Sequence, residues 1–203
     1  MLQRMPPELV LASASSARRA LLEAAGLVFT TVPAAIDEAA IRDAARAEGA
    51  EATEAALRLA ALKAERVARR RPDALVIAAD QILVCDGTWY DKPADLAAAH
   101  AQLTALRGRG HHLATAVLCW GDGMRLWHHI AAPRLTMRAF SPAFLDAYLA
   151  AEGERVLTSV GAYRLEGSGI HLFEQIEGEH SAILGLPLLP LLGFLRQRGV
   201  LLS

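Results

Sequence analysis

LVLASASSARRALLEAAG, residues 9–26, is the stretch that decides the fold of this chain. Its apolar start at residues 9–12 predicts a short buried strand. A helical pattern follows after a few small residues and ends at Gly26, a residue type that favours helix C-termini. The first part of the fold is therefore predicted to be a strand that runs directly into a helix.

The junction of this strand and helix combines hydroxyl side chains with positive charge. A serine oxygen can accept a hydrogen bond from a free N–H group of the first helical turn, and Arg18 and Arg19 follow at once. Free N–H groups and the helix dipole both favour an anion at such a place. The junction fits an anion-binding site, and it also fits an ordinary capped helix with solvated arginines. The candidate capping residues are Ser13, Ser15 and Ser16.

The composition is that of a globular protein without a strong charge. With 203 residues, 53% of them hydrophobic and 21% charged, the chain can form one domain, which we expect to span residues 1–203. The formal net charge of −1 gives no general attraction to nucleic acid or to an anionic membrane, so neither is an expected partner. Any anion must therefore be bound by a local cluster of cations.

The two cysteines, Cys85 and Cys119, lie in apolar runs without a CxxC partner, which argues against a structural zinc site. The N-terminal residues lack the apolar core of a secretory signal, and no apolar run has membrane-spanning length. Two thiols without a secretory signal suggest a reducing compartment. We therefore expect a cytoplasmic protein.

Asp80 follows a continuous apolar run, residues 74–79, that is typical of a central strand covered on both faces. Open α/β sheets bind ligands at the carboxyl ends of such strands. Strands and helices alternate at first and hairpins dominate later, which predicts an α/β fold with an elongated mixed sheet flanked by helices. The other predicted strands are residues 28–32, 81–84, 88–90, 112–120, 124–137, 161–166 and 170–176. The other predicted helices lie within residues 39–71 in two segments, from 92 to 108, from 141 to 151 and after 187.

Four charged side chains are not explained by the apolar pattern. Burying the charge of Asp80 after six apolar residues costs free energy unless the carboxylate is paired, bound to metal or solvated. Asp80 could also simply cap the following turn. Glu38 is predicted in a loop, and Lys63 and Lys92 could be solvated. Together with the arginines they form the set that phosphoryl chemistry needs: carboxylates for metal and water, and cations for phosphate oxygens. The chain has neither a GxxxxGK[ST] nor a GxGxxG motif, so the pattern indicates a nucleotide- or phosphate-handling enzyme outside those classes.

Along nearly its whole length the sequence resembles the Maf-like nucleoside triphosphate pyrophosphatases. Several ordered motifs carry the resemblance. They are LASASSARRALLEAAG (11–26), IDE (36–38), RLAALKAERV (58–67), AADQILVCDG (78–87), DKPADLAAAHAQLTALRGRGH (91–111), GAYRLEGSGIHLFEQIEG (161–178) and ILGLPLLPLL (183–192).

The resemblance implies hydrolysis of a nucleoside triphosphate to the monophosphate and pyrophosphate, with a divalent cation, usually Mg²⁺ and alternatively Mn²⁺. It implies that Asp80 is the proton acceptor that activates water, and that Glu38 and Asp80 hold the metal. It further implies a homodimer, and two lobes of the α/β domain around a nucleotide cleft. The residues implied to line the triphosphate are Ser13, Arg18, Arg19, Lys63 and Lys92.

Three positions bear on which substrate the resemblance implies: Ala17, Gln81 and Glu166. They resemble the branch that acts on 7-methyl-GTP, although that branch usually has a tryptophan in place of Ala17. A single carboxylate such as that of Glu166 can accept both the N1–H and N2–H groups of a guanine edge. The alternatives are a pyrophosphatase for dTTP and UTP, and a nucleotide-binding regulator of cell division with little turnover.

Overall fold

A computed structural model describes residues 3, 4 and 6–202 of the chain. Contacts between these residues divide them into two compact units. Unit 1 contains the described residues of 1–80, 115–131 and 185–203, and unit 2 contains residues 81–114 and 132–184.

The described residues form eight strands in one mixed sheet with the order β2-β1-β3-β5-β7-β8, in which β4 pairs with β3 and β6 with β5. The predicted α/β fold with a mixed sheet flanked by helices is confirmed. The strands are β1 (Leu9–Leu11), β2 (Thr30–Thr31), β3 (Leu75–Cys85), β4 (Thr88–Tyr90), β5 (Gly110–Gly121), β6 (Met124–Ala131), β7 (Arg134–Met137) and β8 (Phe173–Glu177). The helices are α1 (Ser16–Ala24), α2 (Glu38–Ala47), α3 (Ala52–Ala68), α4 (Leu96–Leu106), α5 (Pro142–Glu152), α6 (His180–Ile183) and α7 (Leu188–Gln197). Short 3-10 helices cover Gly153–Thr158, Val160–Ala162 and Ser168–Leu172.

In unit 1, β1 lies parallel to both β2 and β3 and is buried on both faces. Leu9 and Leu11 pack in a cluster with Leu22 of α1 and residues of α7, whereas Val10 packs in a second cluster with alanines of α3. This division follows from the alternation of side chains along a strand. Because both faces of β1 are covered, its sequence is a continuous apolar run.

Unit 2 has its own apolar core. Its largest fully buried members include Phe140, Leu103 and Leu113, and residues of α4, α5 and the 3-10 helices complete the cluster. The antiparallel pair β7 and β8 lies in the same unit. Within the described part of the chain, no helix is both long and apolar enough to cross a membrane.

Serine and aspartate side chains cap the starts of several helices. Ser15 is the N-cap of α1 and accepts a hydrogen bond from the backbone N–H of Arg18, so one of the three candidate serines has the predicted role. Ser141 caps α5, whose first residue is Pro142, a residue type favoured at that position. The helix predicted to open at residue 92 begins instead at Leu96, because the side chain of Asp95 caps it there.

Several strands have other boundaries than predicted. The strand predicted at residues 74–79 continues to Cys85, which places Asp80 inside β3 rather than at its carboxyl end. The strand predicted at residues 124–137 is interrupted between β6 and β7 at Pro133, which has no N–H group to donate to a neighbouring strand. Residues 28–32 form only the two-residue strand β2.

The strand predicted at residues 161–166 is wrong. Gly161 and Ala162 have φ angles of 75° and 58°, in the left-handed region, so the backbone turns there instead of extending. A 3-10 helix, Ser168–Leu172, replaces the start of the last predicted strand, of which β8 remains. The prediction of Glu38 in a loop is also wrong, because Asp37 caps α2 and Glu38 is its first residue.

His111 is a titratable side chain inside unit 2. Its Nε2 lies 3.0 Å from the hydroxyl oxygen of Tyr163, and its Nδ1 is buried without a hydrogen-bond partner in the described structure. Burial, and to a lesser extent the charge of His112, lower the pKa of His111 from 6.5 to about 4.

We predict that this histidine makes the protein less stable in acid. The unfolded chain binds a proton at His111 near pH 6.5 and the folded chain only near pH 4, so the free energy of unfolding falls by up to about 3 kcal/mol as the pH drops through this window. Urea unfolding at a series of pH values measures the slope. His111→Gln should flatten it, whereas the half-exposed His100→Gln should not. Equal slopes for His111→Gln and the unchanged protein would contradict the prediction.

Candidate active site

An ion triad with two buried members and one half-exposed member lies in unit 1, where α3 faces β3. The ammonium Nζ of Lys63 is 2.5 Å from Oδ1 of Asp80 and 2.8 Å from Oε1 of Glu38. Lys63 and Asp80 are only 5% and 4% exposed. The apolar residues around Asp80 in β3 cannot compensate its charge, so the lysine does so. The structure thus brings together three residues that the sequence analysis selected separately.

One carboxylate oxygen of this triad is not paired with the lysine. Oδ2 of Asp80 is buried and has no hydrogen-bond partner within residues 3, 4 and 6–202. Buried carboxylate oxygens are normally hydrogen-bonded, because burial removes them from water. Oδ2 is therefore the atom of this cluster best placed to accept a proton or to contact a cation.

Arg18 is the second buried cation of unit 1. Its Nε donates to the carbonyl oxygen of Gly185 at 2.8 Å, and its Nη1 donates to that of Ala79 at 2.8 Å and to Oγ of Ser13 at 3.3 Å. Burial lowers the pKa of Arg18, and the negative charges of Asp80 and Glu38 oppose that shift. Arginine keeps its charge even so, because its ordinary pKa is above 12. The guanidinium is thus a fixed positive charge beside the triad.

Gly185 allows this arrangement. Its φ is 90°, and a Cβ atom there would lie 3.1 Å from Nε of Arg18. A side chain at this position would crowd the guanidinium and would be strained in the left-handed backbone, so glycine favours the contact. Sequence reasoning did not select Gly185, although the ILGLPLLPLL motif, residues 183–192, contains it.

The helix start near Arg18 contains the other predicted anion-binding residues of unit 1. Oγ of Ser13 accepts a hydrogen bond from the backbone N–H of Ser15 at 3.1 Å. Ala17 is the second residue of α1 and is half-buried. Arg19 is exposed and pairs with Glu23 of the same helix at 3.7 Å, so it is not part of the buried cluster.

The remaining predicted site residues lie in unit 2. The amide of Gln81 donates to the carbonyl oxygens of Ala182 and Ile183 at 3.0 and 3.2 Å, so its side chain holds the short helix α6. Lys92 is exposed and precedes α4. Glu166 is exposed, with Oε1 3.3 Å from Nε of Arg164. The residues that support Glu166 were not predicted, since nothing in the sequence distinguishes them from surface charges.

The donor set of the triad fits a magnesium-like ion. Mg²⁺ is usually held by one or two carboxylates together with substrate phosphates and water. Asp80 offers an unpartnered buried oxygen, and Glu38 contacts the same Lys63 ammonium. No group of three or more histidine, cysteine, aspartate or glutamate side chains suited to a metal occurs in the described structure. A metal here would therefore take the rest of its ligands from substrate and water.

Comparison with known proteins agrees with the fold and these residues. The family described as "Maf-like protein" matches residues 8–198. A protein of Granulibacter bethesdensis named nucleoside triphosphate pyrophosphatase is 59% identical over 96% of this chain and 98% of its own length. A protein of the same name from Paramagnetospirillum magneticum is 54% identical over 95% and 99% of the two lengths. A Rhizobium johnstonii protein named 7-methyl-GTP pyrophosphatase is 49% identical over 97% and 99%.

The family match covers residues of both units, and the α/β fold and the buried charged residues agree with it. Together they define the class: the chain is a hydrolase that acts on acid anhydrides. It belongs to the Maf-like family.

We predict that Lys63→Met destabilises the protein by about 3 to 5 kcal/mol, because it leaves the carboxylate of Asp80 buried without its cation. The free energy of unfolding in urea measures the loss. The control is Arg69→Met, which removes an exposed ion pair with Glu65 and should cost less than about 1 kcal/mol. Combining Lys63→Met with Asp80→Asn should recover part of the stability. A Lys63→Met loss no larger than that of Arg69→Met would contradict the prediction.

Proposed function

We propose that this protein hydrolyses a nucleoside triphosphate to the monophosphate and pyrophosphate by water attack at the α-phosphorus. The observation that carries the proposal is the unpartnered Oδ2 of Asp80, in a carboxylate whose other oxygen is held by Lys63. The carboxylate is thereby fixed in position with one oxygen available. A fixed carboxylate with a free oxygen is suited to accepting a proton from water.

In the proposed reaction, a bond forms between the water oxygen and the α-phosphorus while the bond from that phosphorus to the bridging oxygen breaks. The water proton passes to Oδ2 of Asp80, and pyrophosphate leaves with the electron pair of the broken bond. Positive charge stabilises the phosphate oxygens as charge develops on them. The residues to which we assign phosphate binding are Ser13, Arg18, Arg19, Lys63 and Lys92.

The proposal includes a divalent cation held by Asp80 and Glu38, with Mg²⁺ favoured and Mn²⁺ as the alternative. When bound, such an ion neutralises charge across the phosphates. Within the chain, the carboxylate groups of Glu38 and Asp80 would supply the protein ligands. Lys63, which lies between these carboxylates, keeps both side chains oriented through its ammonium group.

For the base we propose guanine, with 7-methyl-GTP as the favoured substrate and Glu166 as the residue that accepts N1–H and N2–H. The relatives from two Rhizobium species named 7-methyl-GTP pyrophosphatase, at 49% and 48% identity, support this choice. Gln81 and Ala17 are assigned to the same selection, Gln81 through its hold on α6. A pyrimidine-specific enzyme for dTTP and UTP is the alternative.

We further propose that residues 1–203 act as one domain, in a cytoplasmic homodimer. The family match across both units supports a single functional domain. Two free cysteines, both buried, suit a reducing compartment. Sedimentation of the purified protein would measure the oligomeric state.

Asp80→Asn tests the assigned chemistry. We expect pyrophosphate release in the presence of Mg²⁺ to fall by about 100-fold or more, because the amide cannot accept the water proton, while triphosphate binding persists. Hydrolysis in ¹⁸O-labelled water should place the label in the monophosphate. Asp122→Asn, at an exposed ion pair, is the control and should retain activity.

Undiminished activity in Asp80→Asn would refute the role of Asp80. Label found in pyrophosphate would refute attack at the α-phosphorus. Triphosphate binding without measurable turnover by the unchanged protein would favour the regulatory alternative instead.

Glu166→Gln tests the base assignment. The amide presents one donor and one acceptor, so it matches a pyrimidine edge better than a guanine edge. We expect the ratio of kcat/KM for 7-methyl-GTP to that for UTP to fall by about tenfold or more. A panel of triphosphates measured by pyrophosphate release gives the ratio, and an unchanged ratio would contradict the assignment.

A further inference from the structure

We propose that Glu152 is a positioning residue for base selection, because it fixes through Arg164 and Ser168 the segment that carries Glu166. This inference rests on the proposed function, in which Glu166 selects the base. All of these residues belong to unit 2.

Glu152 is the last residue of α5, and its side chain is only 6% exposed. Oε2 accepts a hydrogen bond from Nη1 of Arg164 at 3.1 Å. Oε1 accepts from the backbone N–H and the hydroxyl of Ser168, at 3.3 and 2.5 Å. The hydroxyl of Ser168 is the main cause of the lowered pKa of Glu152, so the side chain is a carboxylate at neutral pH. One buried charge thus binds both ends of the segment 164–168.

Arg164 links this buried carboxylate to the exposed one. Its Nη1 contacts Glu152 and its Nε lies 3.3 Å from Oε1 of Glu166. Nε and Nη1 belong to one rigid guanidinium plane, so fixing one of them restricts the direction in which the other points. Oε2 of Glu166 has no partner within the described residues and stays available to a ligand.

The backbone of the segment is as constrained as its side chains. A Cβ atom on Gly169 would lie 2.4 Å from the carbonyl oxygen of Arg164, and one on Gly167 would lie 3.2 Å from Oε1 of Glu152. The chain therefore folds closely over the carboxylate, and only glycine fits at position 169. Packing alone would be served by an apolar side chain at position 152, since burying a carboxylate is costly.

Base selection would explain why a carboxylate is buried at position 152. Glu166 can accept N1–H and N2–H together only if its carboxylate plane lies along the guanine edge. A recognition group that is free to rotate loses much of its discrimination, because holding the bound geometry then costs entropy. The network from Glu152 through Arg164 supplies that restraint before substrate binds.

The test compares 7-methyl-GTP with 7-methyl-ITP, which lacks only the 2-amino group. In Glu152→Gln, an NH₂ donor replaces one of the two oxygens that accept from Arg164 and Ser168, and the side chain loses its charge, so the hold on the segment weakens. We expect the ratio of kcat/KM for the two substrates to fall on the order of tenfold, through KM for 7-methyl-GTP. The kcat for 7-methyl-ITP should stay within about twofold, because the phosphate chemistry is untouched.

Arg155→Met is the matched control. Arg155 lies 3.5 Å from the same oxygen of Glu152 but makes no contact with Glu166, so the substrate ratio should not change. Arg164→Lys is the second variant, for use if Glu152→Gln does not fold. A lysine ammonium lacks the rigid guanidinium plane that couples the Glu152 contact to the Glu166 contact, so the ratio should fall here as well. Glu152→Gln combined with Glu166→Gln should discriminate no worse than Glu166→Gln alone.

The outcomes separate this inference from the proposed function. If Glu166→Gln lowers the ratio but folded Glu152→Gln and Arg164→Lys do not, the positioning role is refuted and the base assignment stands. If Glu166→Gln leaves the ratio unchanged, the base assignment fails and this inference fails with it. If the unchanged protein hydrolyses neither substrate, the base assignment is refuted and this inference with it. If it releases pyrophosphate from no triphosphate of the panel, the proposed function is itself refuted.

Discussion

The ammonium of Lys63 between two carboxylates is the interaction on which the candidate site depends. Asp80 is nearly inaccessible, so its charge could not be kept in unit 1 without a cation within hydrogen-bonding distance. The same ammonium reaches Glu38 on a separate helix. A single buried cation thus ties α3, β3 and the start of α2 together, and it leaves one oxygen of Asp80 open.

The sheet makes that interaction possible. β3 is apolar on both sides because helices cover both faces of its parallel part, and a charged residue within such a strand must point at a partner. Lys63 lies on the α3 face among alanines, whose small side chains let the helix pack closely. Arg18, fixed by carbonyl oxygens of Ala79 and Gly185, adds a second cation without needing another carboxylate.

Unit 2 uses the opposite arrangement, in which a buried carboxylate holds an arginine at the surface. Glu152 orients Arg164, and Arg164 contacts the exposed Glu166. In both units the group proposed to meet substrate is held by an oppositely charged neighbour rather than by packing alone. Charged groups held in this way need little reorganisation when a ligand binds.

The sequence by itself determined the fold class, the strand-to-helix start and the selection of Asp80, Lys63 and Glu38, because apolar periodicity and misplaced charges are local signals. The motif resemblance to the Maf-like family came from the sequence as well. Only the tertiary structure decided that Lys63 bridges the two carboxylates, that Gln81 holds α6 and that Glu152 supports Arg164. Those contacts join residues far apart in the chain or lie where the left-handed turn at Gly161 and Ala162 replaces a predicted strand. No local pattern encodes them, because they arise only once the core has packed.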